Sequence, residues 1–506
     1  MRDTRHNGSS GGHRYDACVI GSGASGAVVA SELVAAGWDV LVVEQGDHVA
    51  GGTYLHELIP TFEAARARDN DGEWTDEGYP WTACCVGGGT RFYAGISLRL
   101  RRVDFDASDH VVAEALPPAW PFGYDELERH YDWVERRIGV TSHSNLDPSR
   151  PSPSLAVLPP HPPSLRAATL AAAATARGLQ PFPLPLSVAS RGFGAAPTCS
   201  DLTTCTDYVC PTGAKGDVYQ RLLAPMLASP NFELRTRCKA LRLVERAPGQ
   251  VSELHCRDLD SGRGETIRAD LFVVAANAIQ SSALLLRSTS PHSPAGLGNG
   301  HDMVGRGLCM KVGQNVYARL HDGLEGPIPV NGGRWATVGI TDFYEHPDCP
   351  TGLGGLIYDT GPLDEGWRAD PLILRLECLL ADQPLASNRV LVDGERVTID
   401  YRAHPTDLRR LAFVRDHATE LLFDAGADEV VPEPMDFTFG SGHLHGTCRM
   451  GEDPRTSVCS PSGRVHAFDN LVVADGSLMP FPGAVNPTLT IQANAHRVVT
   501  GLLAGA

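Results

Sequence analysis

Lysine is nearly absent from this sequence, and positive charge is scarce overall. Among 506 residues there are three lysines (Lys215, Lys239 and Lys311), and 43 Lys+Arg oppose 60 Asp+Glu, a formal net charge of −17 at pH 7. Sequence-independent binding to nucleic acid or anionic lipid needs a positive surface. The composition therefore predicts no nucleic-acid partner and no membrane partner, whereas a cationic partner is compatible with it.

Long apolar runs and a cysteine framework are also missing. No stretch of about 20 apolar residues occurs, so we expect no membrane-spanning helix. Residues 1–14, MRDTRHNGSSGGHR, lack the apolar core of a secretory signal, so we expect a disordered tail there. Thirteen cysteines spread along the chain are typical of reduced thiols, which predicts a cytoplasmic protein.

Three of these cysteines, Cys199, Cys205 and Cys210, are separated by five and four residues. Zinc and iron–sulfur sites use more closely paired cysteines and a fourth ligand. A local disulfide and plain packing both fit the spacing, and the sequence leaves that choice open. We predict no metal site.

Glycine, in contrast, is abundant, with 53 residues against the roughly 7% of an average protein. The turn GSGASG lies between a predicted buried strand at Tyr15–Ile20 and a predicted helix at Ala27–Ala36. A second predicted strand follows at Trp38–Val43. Strand, glycine turn, helix and strand within about 30 residues are typical of the first unit of a doubly wound sheet.

The glycines of this turn, Gly21, Gly23 and Gly26, form the pattern G-x-G-x-x-G. The first allows a tight turn, the second lets the backbone approach a pyrophosphate, and the third lets helix and strand pack closely. Glu44 follows 18 residues after Gly26, where an acid bonds ribose hydroxyls. We therefore predict binding of a dinucleotide without a ribose phosphate, FAD or NAD.

Further strands are predicted at Phe232–Val244 and Ala269–Ala276. The alternating segment Leu372–Leu380 predicts antiparallel sheet. A strand beginning at Leu471 and a long apolar helix at Thr490–Leu503 close the chain.

Several motifs occur in a characteristic order. They are the GSGASG turn, VGGGT at Val86–Thr90, GHLHGTCRMG at Gly442–Gly451, LVVADGS at Leu471–Ser477 and NPTLT from Asn486. In this order they resemble the glucose–methanol–choline (GMC) flavoprotein oxidoreductases. The resemblance implies an α/β fold with a Rossmann-like FAD-binding domain and a substrate domain built on an antiparallel sheet. It places the first domain at residues 15–105, 190–315 and 432–506 and the second at 106–189 and 316–431.

The resemblance also assigns site residues. His443 matches the catalytic histidine and Asn486 its partner. The loop GGGTRFYAG lacks the histidine through which some relatives attach FAD, so we expect FAD to be held non-covalently. The expected cofactor-binding residues are Gly21, Ser22, Gly23, Ala24, Ser25, Gly26, Glu44, Gln45, Gly88, Thr90, Ala240, Asp475, Gly476, Pro487 and Thr488.

Longer phrases, such as GGGTRFYAGISLRLRRVDFD and NPTLTIQANA, are similar to the GMC subgroup that oxidises the 6′-CH2OH of 2-deoxystreptamine aminoglycoside intermediates such as paromamine to an aldehyde. We expect that reaction, with O2 or another electron acceptor. Oxidation of another sugar, glycoside or polyol alcohol, and a non-redox lyase that retains FAD, remain alternatives.

A cationic substrate would need carboxylates and aromatic rings near the flavin. Asp76 and Glu77, in a segment rich in acids and aromatics, and Glu377, on the alternating strand, are the candidates, with Arg375 of the same strand as the alternative to Glu377 for lining the site. His445 is a second candidate for the base or a substrate contact, because in an extended segment it shares a face with His443. Lys215 is equally compatible with a place over the FAD and with the surface.

Overall fold

The strands of the protein form three sheets. The structure, a computed structural model, describes residues 13–61, 66–68, 74–75, 82–141, 147, 151, 157–202, 205–321, 335–361, 372–433 and 442–505. The strands are β1 (Arg14–Ile20), β2 (Val40–Val43), β3 (Arg66–Arg68), β4 (Trp74–Thr75), β5 (Phe182–Pro183), β6 (Phe232–Arg235), β7 (Cys238–Ala247), β8 (Gln250–Asp258), β9 (Gly264–Val274), β10 (Val312–Leu320), β11 (Val338–Ile340), β12 (Gly355–Thr360), β13 (Ile373–Leu380), β14 (Arg389–Asp393), β15 (Arg396–Asp400), β16 (Ala427–Pro432) and β17 (Leu471–Val473). The α-helices are α1 (Ala24–Ala35), α2 (Tyr124–Ile138), α3 (Leu165–Ala176), α4 (Ala224–Met226), α5 (Asn277–Arg287), α6 (Pro405–Asp424) and α7 (Thr488–Ala504).

The first sheet has the order β6-β2-β1-β9-β8-β7, with β17 also paired to β9. β1 runs parallel to β2 and β9, and β17 runs parallel to β9. All four residues of β2, VLVV, are buried, as a parallel sheet covered on both faces requires. At the carboxyl ends of β1 and β9 the chain continues into α1 and α5, so two helices begin at the same edge of the sheet.

The second sheet is antiparallel and has the order β16-β10-β13-β12-β11-β5. Helix α6 packs against β10, β13 and β16, and its apolar side chains join those of the sheet in a second core. The predicted antiparallel segment Leu372–Leu380 corresponds to β13. A parallel-based sheet and an antiparallel sheet together confirm the predicted fold class.

The third sheet has four strands, in the order β14-β15-β3-β4. β14 and β15 form an antiparallel hairpin, and β3 runs parallel to β15. Helix α5, which follows β9, contacts β14, so this small sheet packs against that helix.

The predicted single strand Phe232–Val244 is wrong. The segment forms two strands, β6 and β7, which lie at opposite edges of the first sheet. Between them Arg237 has a φ of +52°, which turns the chain out of the extended conformation. The alternation of apolar and polar residues from Phe232 to Val244 does not reveal such a turn, because nothing in the periodicity changes at Arg237.

The domain boundaries remain a prediction. One of them would divide a β-strand. The predicted boundary between residues 315 and 316 falls inside β10, whose residues pair with β13 from Val312 onward. Of the predicted tail, residues 1–12 lie outside the described residues, and Arg14 already belongs to β1.

Candidate active site

The GSGASG turn forms one wall of a cavity of about 260 Å³ at the edge of the first sheet. Gly21 has a φ of +104°, and a Cβ there would lie 2.4 Å from the carbonyl oxygen of Ala275. A Cβ on Gly26 would lie 1.9 Å from the carbonyl oxygen of Gly21, so a side chain there would separate α1 from β1. A Cβ on Gly23 would meet nothing within 4 Å, and Gly23 lines the cavity.

Helix α1 presents its amino end to this cavity. Its N-cap residue, Gly23, supplies no side-chain hydrogen bond, and Ala24 and Ser25 line the cavity. The first N–H groups of a helix lack intrahelical partners and carry the positive end of its dipole, so they favour phosphate. Helix α5 differs, because the side chain of Asn277 already accepts hydrogen bonds from the N–H groups of Ile279 and Gln280.

Glu44, directly after β2, is buried and also lines the cavity. Its carboxylate accepts hydrogen bonds from the Ser22 N–H (3.0 Å), the Ser22 hydroxyl (2.6 Å) and the Gly46 N–H (2.8 Å). Burial raises the pKa of Glu44, and these donors counteract that rise. Glu44 therefore holds the glycine turn in shape from the position where a ribose would be bound.

A second loop closes the cavity on the side of the short turn Gly88–Arg91. The Thr90 hydroxyl donates to the Gly87 carbonyl at 2.7 Å, and a Cβ on Gly88 would lie 3.1 Å from the Gly23 Cα. The loop and the GSGASG turn thus touch each other.

Most of the predicted cofactor residues lie on this cavity. Ser22 and Gly26 are buried behind its wall, the first bonded to Glu44 and the second packed against Gly21. Those that line it are Gly21, Gly23, Ala24, Ser25, Glu44, Gln45, Gly88, Thr90, Ala240, Asp475, Gly476, Pro487 and Thr488.

A second cavity, of about 590 Å³, adjoins the first. Ala83, Gly89, Gly442 and Thr488 line both. The turn around Gly89 and the start of α7 therefore stand at the junction of the two spaces.

His443 and Asn486 both line the second cavity. Asn486, 8% exposed, precedes α7; its Nδ2 lies 3.5 Å from the Tyr358 hydroxyl, and its Oδ1 has no hydrogen-bond partner among the described residues. His443 is half-buried. Burial, with a smaller contribution from the positive charge of Lys311, lowers the pKa of His443 to about 3. The imidazole is therefore neutral near pH 7 and able to accept a proton.

His445 does not accompany His443 into this cavity. Its ring is fully buried, and its main chain pairs with Cys309 through two hydrogen bonds, of 2.9 and 3.1 Å. Within the described part of the chain neither ring nitrogen has a hydrogen-bond partner, and burial lowers the pKa of His445 well below its usual value. An extended segment would place both histidines on one face; in the structure His443 lines the second cavity, whereas His445, whose main chain pairs with Cys309, has its ring in the core.

Of the three acidic substrate candidates, the structure describes Glu377 alone. Glu377 lines the second cavity from β13, between Tyr358 of β12 and Asn315 of β10. Burial raises the pKa of Glu377, and Arg375 opposes that rise. Asp76 and Glu77 lie outside the described residues.

Two acids that the sequence did not single out, Asp207 and Glu433, also line the second cavity. No pattern signalled them, because each lies in an irregular segment far from Glu377 in sequence. Asn277 and Gln280, which line the first cavity, were not predicted either. They lie in α5, directly after the predicted strand that became β9, and ligands bind at the carboxyl ends of strands in doubly wound sheets, so the sequence did contain a signal for them.

Lys215 is neither on the surface nor over the first cavity. It is 1% exposed, and its ammonium donates to the carbonyls of Cys205 (2.7 Å) and Tyr208 (2.9 Å). It stabilises the loop around residues 205–210. Lys311 is likewise buried, and it lines the second cavity.

All thirteen cysteines lie within the described residues, and none of them forms a disulfide. Cys199, Cys205 and Cys210 are all partly exposed. Among the described residues no group of three or more His, Cys, Asp or Glu side chains is arranged to hold a metal ion.

The first cavity fits FAD by its donors and its shape. The uncapped amino end of α1 suits the pyrophosphate, and the open space at Gly23 leaves room for it. Glu44 offers carboxylate oxygen where a ribose would lie, and the junction leads directly to His443 and Asn486.

Comparison with known proteins gives the same result. Two family models described as GMC oxidoreductase match residues 15–318 and 384–495. The 6‴-hydroxyparomomycin C oxidase of Streptomyces lividus is 45% identical over 501 residues, covering 96% of this chain and 90% of that protein. The paromamine 6′-oxidase of Streptomyces fradiae is 44% identical over 494 residues, with the same coverage.

Solved structures share the fold at low sequence identity. Pyridoxine 4-oxidase from Mesorbium loti has a TM-score of 0.65 at 20% identity, covering 97% of this chain and 99% of that one. A variant formate oxidase of Aspergillus oryzae RIB40 has a TM-score of 0.70 at 14% identity, covering 98% and 99%. The family models and the relatives agree with the two cavities: this chain belongs to the GMC oxidoreductase family, whose members are FAD-dependent oxidoreductases.

Proposed function

We propose that this enzyme oxidises a primary alcohol, the 6′-CH2OH of a 2-deoxystreptamine aminoglycoside intermediate such as paromamine, to the aldehyde in antibiotic biosynthesis. The main support for this proposal is the 44–45% identity, over 96% of the chain, to two oxidases named for aminoglycoside substrates. The acidic side chains in the second cavity support a cationic substrate.

FAD is held by the glycine turn, the amino end of α1, Glu44 and the Gly88–Arg91 turn. Bound there, it supplies a two-electron acceptor for the hydride that leaves the carbinol carbon. The substrate is then placed in the second cavity, next to the junction.

His443 and Asn486 act on the substrate hydroxyl. Asn486 donates from Nδ2 to the alcohol oxygen, and a ring nitrogen of His443 accepts the hydroxyl proton. Departure of the hydride makes that hydroxyl far more acidic, so a histidine of low pKa suffices as the base. The substrate loses two electrons and two hydrogens and becomes the aldehyde, and O2 or another electron acceptor would return the enzyme to its oxidised state.

FAD is bound without a covalent link, because the loop GGGTRFYAG holds no histidine. Acid precipitation of the holoenzyme should therefore leave all of the flavin absorbance in the supernatant. Flavin that stays with the denatured protein would overturn this part of the proposal.

No helix in the described part of the chain is long and apolar enough to cross a membrane. We place the enzyme in the cytoplasm, in keeping with thirteen cysteines of which none is in a disulfide.

Anaerobic mixing of the holoenzyme with paromamine tests the proposed reaction. The oxidised flavin absorbance should disappear, and an aldehyde should form in equal amount. A neutral glucoside with the same primary alcohol is the control, and it should react far more slowly.

The other outcomes identify other functions. Bleaching by neutral sugars but not by paromamine would indicate a different alcohol substrate. Absence of bleaching with every alcohol would indicate a non-redox flavoprotein.

A further inference from the structure

Four side chains form a row across the second sheet, facing the larger cavity. Asn315 on β10 lies directly opposite Glu377 on β13, and Glu377 lies opposite Tyr358 on β12. Glu433, directly after β16, donates its N–H to the carbonyl of Asn315 at 2.9 Å and so continues the row. Directly opposite residues of antiparallel strands point to the same face, and all four line the cavity.

The two carboxylates of this row, Glu377 and Glu433, are two strand spacings apart, or roughly 10 Å. The side-chain amide of Asn315 lies between them, and its Nδ2 donates to Glu433 Oε2 at 2.6 Å. Both acids are half-buried, so each is held by its neighbours yet open to the cavity.

The Tyr358 end of the row lies beside the candidate catalytic residue Asn486. The Tyr358 hydroxyl is hydrogen-bonded with Glu377 and lies 3.5 Å from Asn486 Nδ2. A substrate whose alcohol is held at Asn486 and His443 would therefore extend along Glu377 toward Glu433.

The cations that line the cavity are already engaged. The Lys311 ammonium donates to the carbonyls of Pro482, Gly483 and Val485. The Arg375 guanidinium donates to the carbonyl of Gly361 and lies over the Tyr317 ring, and it also interacts electrostatically with Glu377.

We propose that Glu377 and Glu433 form an ammonium-binding subsite, with Asn315 and Tyr358 as its positioning residues. The subsite holds the amine-bearing ring of the substrate and so determines which primary alcohol reaches His443. Asp207, on the same cavity, adds negative charge. This inference rests on the proposed function for the identity of the substrate, but its binding chemistry can be measured without turnover.

The test uses FAD-loaded enzyme and the variants Glu377→Gln and Glu433→Gln. Glu429→Gln is the matched control, because Glu429 is an exposed acid on β16 outside the cavity and its replacement changes the charge equally. Calorimetry measures the Kd of paromamine and of 2-deoxystreptamine, a diamine ring without the reacting alcohol. Steady-state kinetics measure KM and kcat, and thermal melting checks the fold.

Each row variant should raise Kd and KM on the order of tenfold or more, the size expected for a charge-assisted hydrogen bond. The Glu429→Gln control should match the wild type, and kcat should change less than KM. Glu433→Asp, which keeps the charge, should recover part of the affinity, a result that a merely structural role would not produce.

Two results would overturn the subsite: a wild type that does not bind 2-deoxystreptamine, or row variants that fold and bind both ligands as tightly as the wild type. Failure of the proposed function is distinguishable from these. In that case the wild type binds paromamine through the row, and the variants lose that binding, yet the flavin is not reduced.

Discussion

His443 and His445 carry the same ring and are separated by one residue, Leu444, and their surroundings differ. His443 is half-buried at the larger cavity, whereas His445 is fully buried beside Cys309. A base must reach the proton that it removes, so position decides between the two before pKa does.

His443→Ala should retain FAD and lose the rate of flavin reduction by roughly 10²–10⁴, the usual contribution of a general base. Stopped-flow absorbance under anaerobic conditions measures that rate, and the flavin spectrum reports cofactor content. His292→Ala, an exposed histidine away from both cavities, serves as control. Reduction at the wild-type rate in His443→Ala would assign the base to His445.

The lowered pKa of His443 has a consequence for pH dependence. The neutral ring is the active form, so activity is lost as pH falls through the pKa of about 3 and is fully present above it. The second-order rate constant of flavin reduction at low substrate concentration, which reports pKa values of the free enzyme, should therefore show no His443 inflection near the ordinary histidine value of about 6.5. An inflection near 6.5 in the wild type that is absent from His443→Ala would show that burial does not lower the pKa of His443.

At the scale of the element, the strand–turn–helix unit separates two uses of glycine. Gly26 is required by packing, because α1 touches the Gly21 carbonyl, whereas Gly23 is surrounded by open cavity. The same motif thus contains one residue that the packing requires, Gly26, and one that we expect to face the ligand, Gly23.

Alanine at these two positions should separate the roles. Gly23→Ala should keep the thermal stability of the apo-protein and weaken FAD binding, because the added methyl group projects into cofactor space. Gly26→Ala should lower the stability of the apo-protein itself, since its Cβ cannot fit at 1.9 Å from a carbonyl oxygen. Apo-protein melting and FAD titration measure the two effects. Equal loss of stability in both variants would refute the distinction.

At the scale of the whole molecule, the net charge of −17 becomes informative through its distribution. Asp207, Glu377 and Glu433 come from three distant parts of the chain and meet on one cavity beside the candidate base. These three acids outnumber the two cations of the same cavity, Lys311 and Arg375, and we expect the excess to attract a cationic substrate over a distance set by ionic strength.

Salt should therefore weaken the reaction of the cationic substrate. As ionic strength rises from about 0.01 to 1 M, the Debye length falls from about 30 to 3 Å, and kcat/KM for paromamine should fall with it. For a neutral glucoside kcat/KM should stay nearly constant over the same range. The same salt dependence for both substrates would show that the charge is incidental.

Much of the fold was predictable because its signals are local. The buried strand β1, the glycine turn and Glu44 follow one another within 31 residues, Arg14 to Glu44, and each contact requires a particular residue type. The antiparallel strand β13 was likewise visible in its alternation. The break between β6 and β7 was not visible, because a single residue of positive φ, Arg237, leaves the alternation of apolar and polar residues unchanged.

The sequence by itself predicted the glycine turn with Glu44, since a tight turn needs glycine, and its ordered motifs resemble a family of FAD-dependent oxidoreductases, which implied the reaction class. Tertiary structure alone decided that His445 turns into the core and that Glu433, Asn315, Glu377 and Tyr358 share one row. The physical reason is register. Strand pairing brings together side chains more than 100 residues apart in some pairs, such as Asn315 and Glu433, and no local pattern encodes which residues meet.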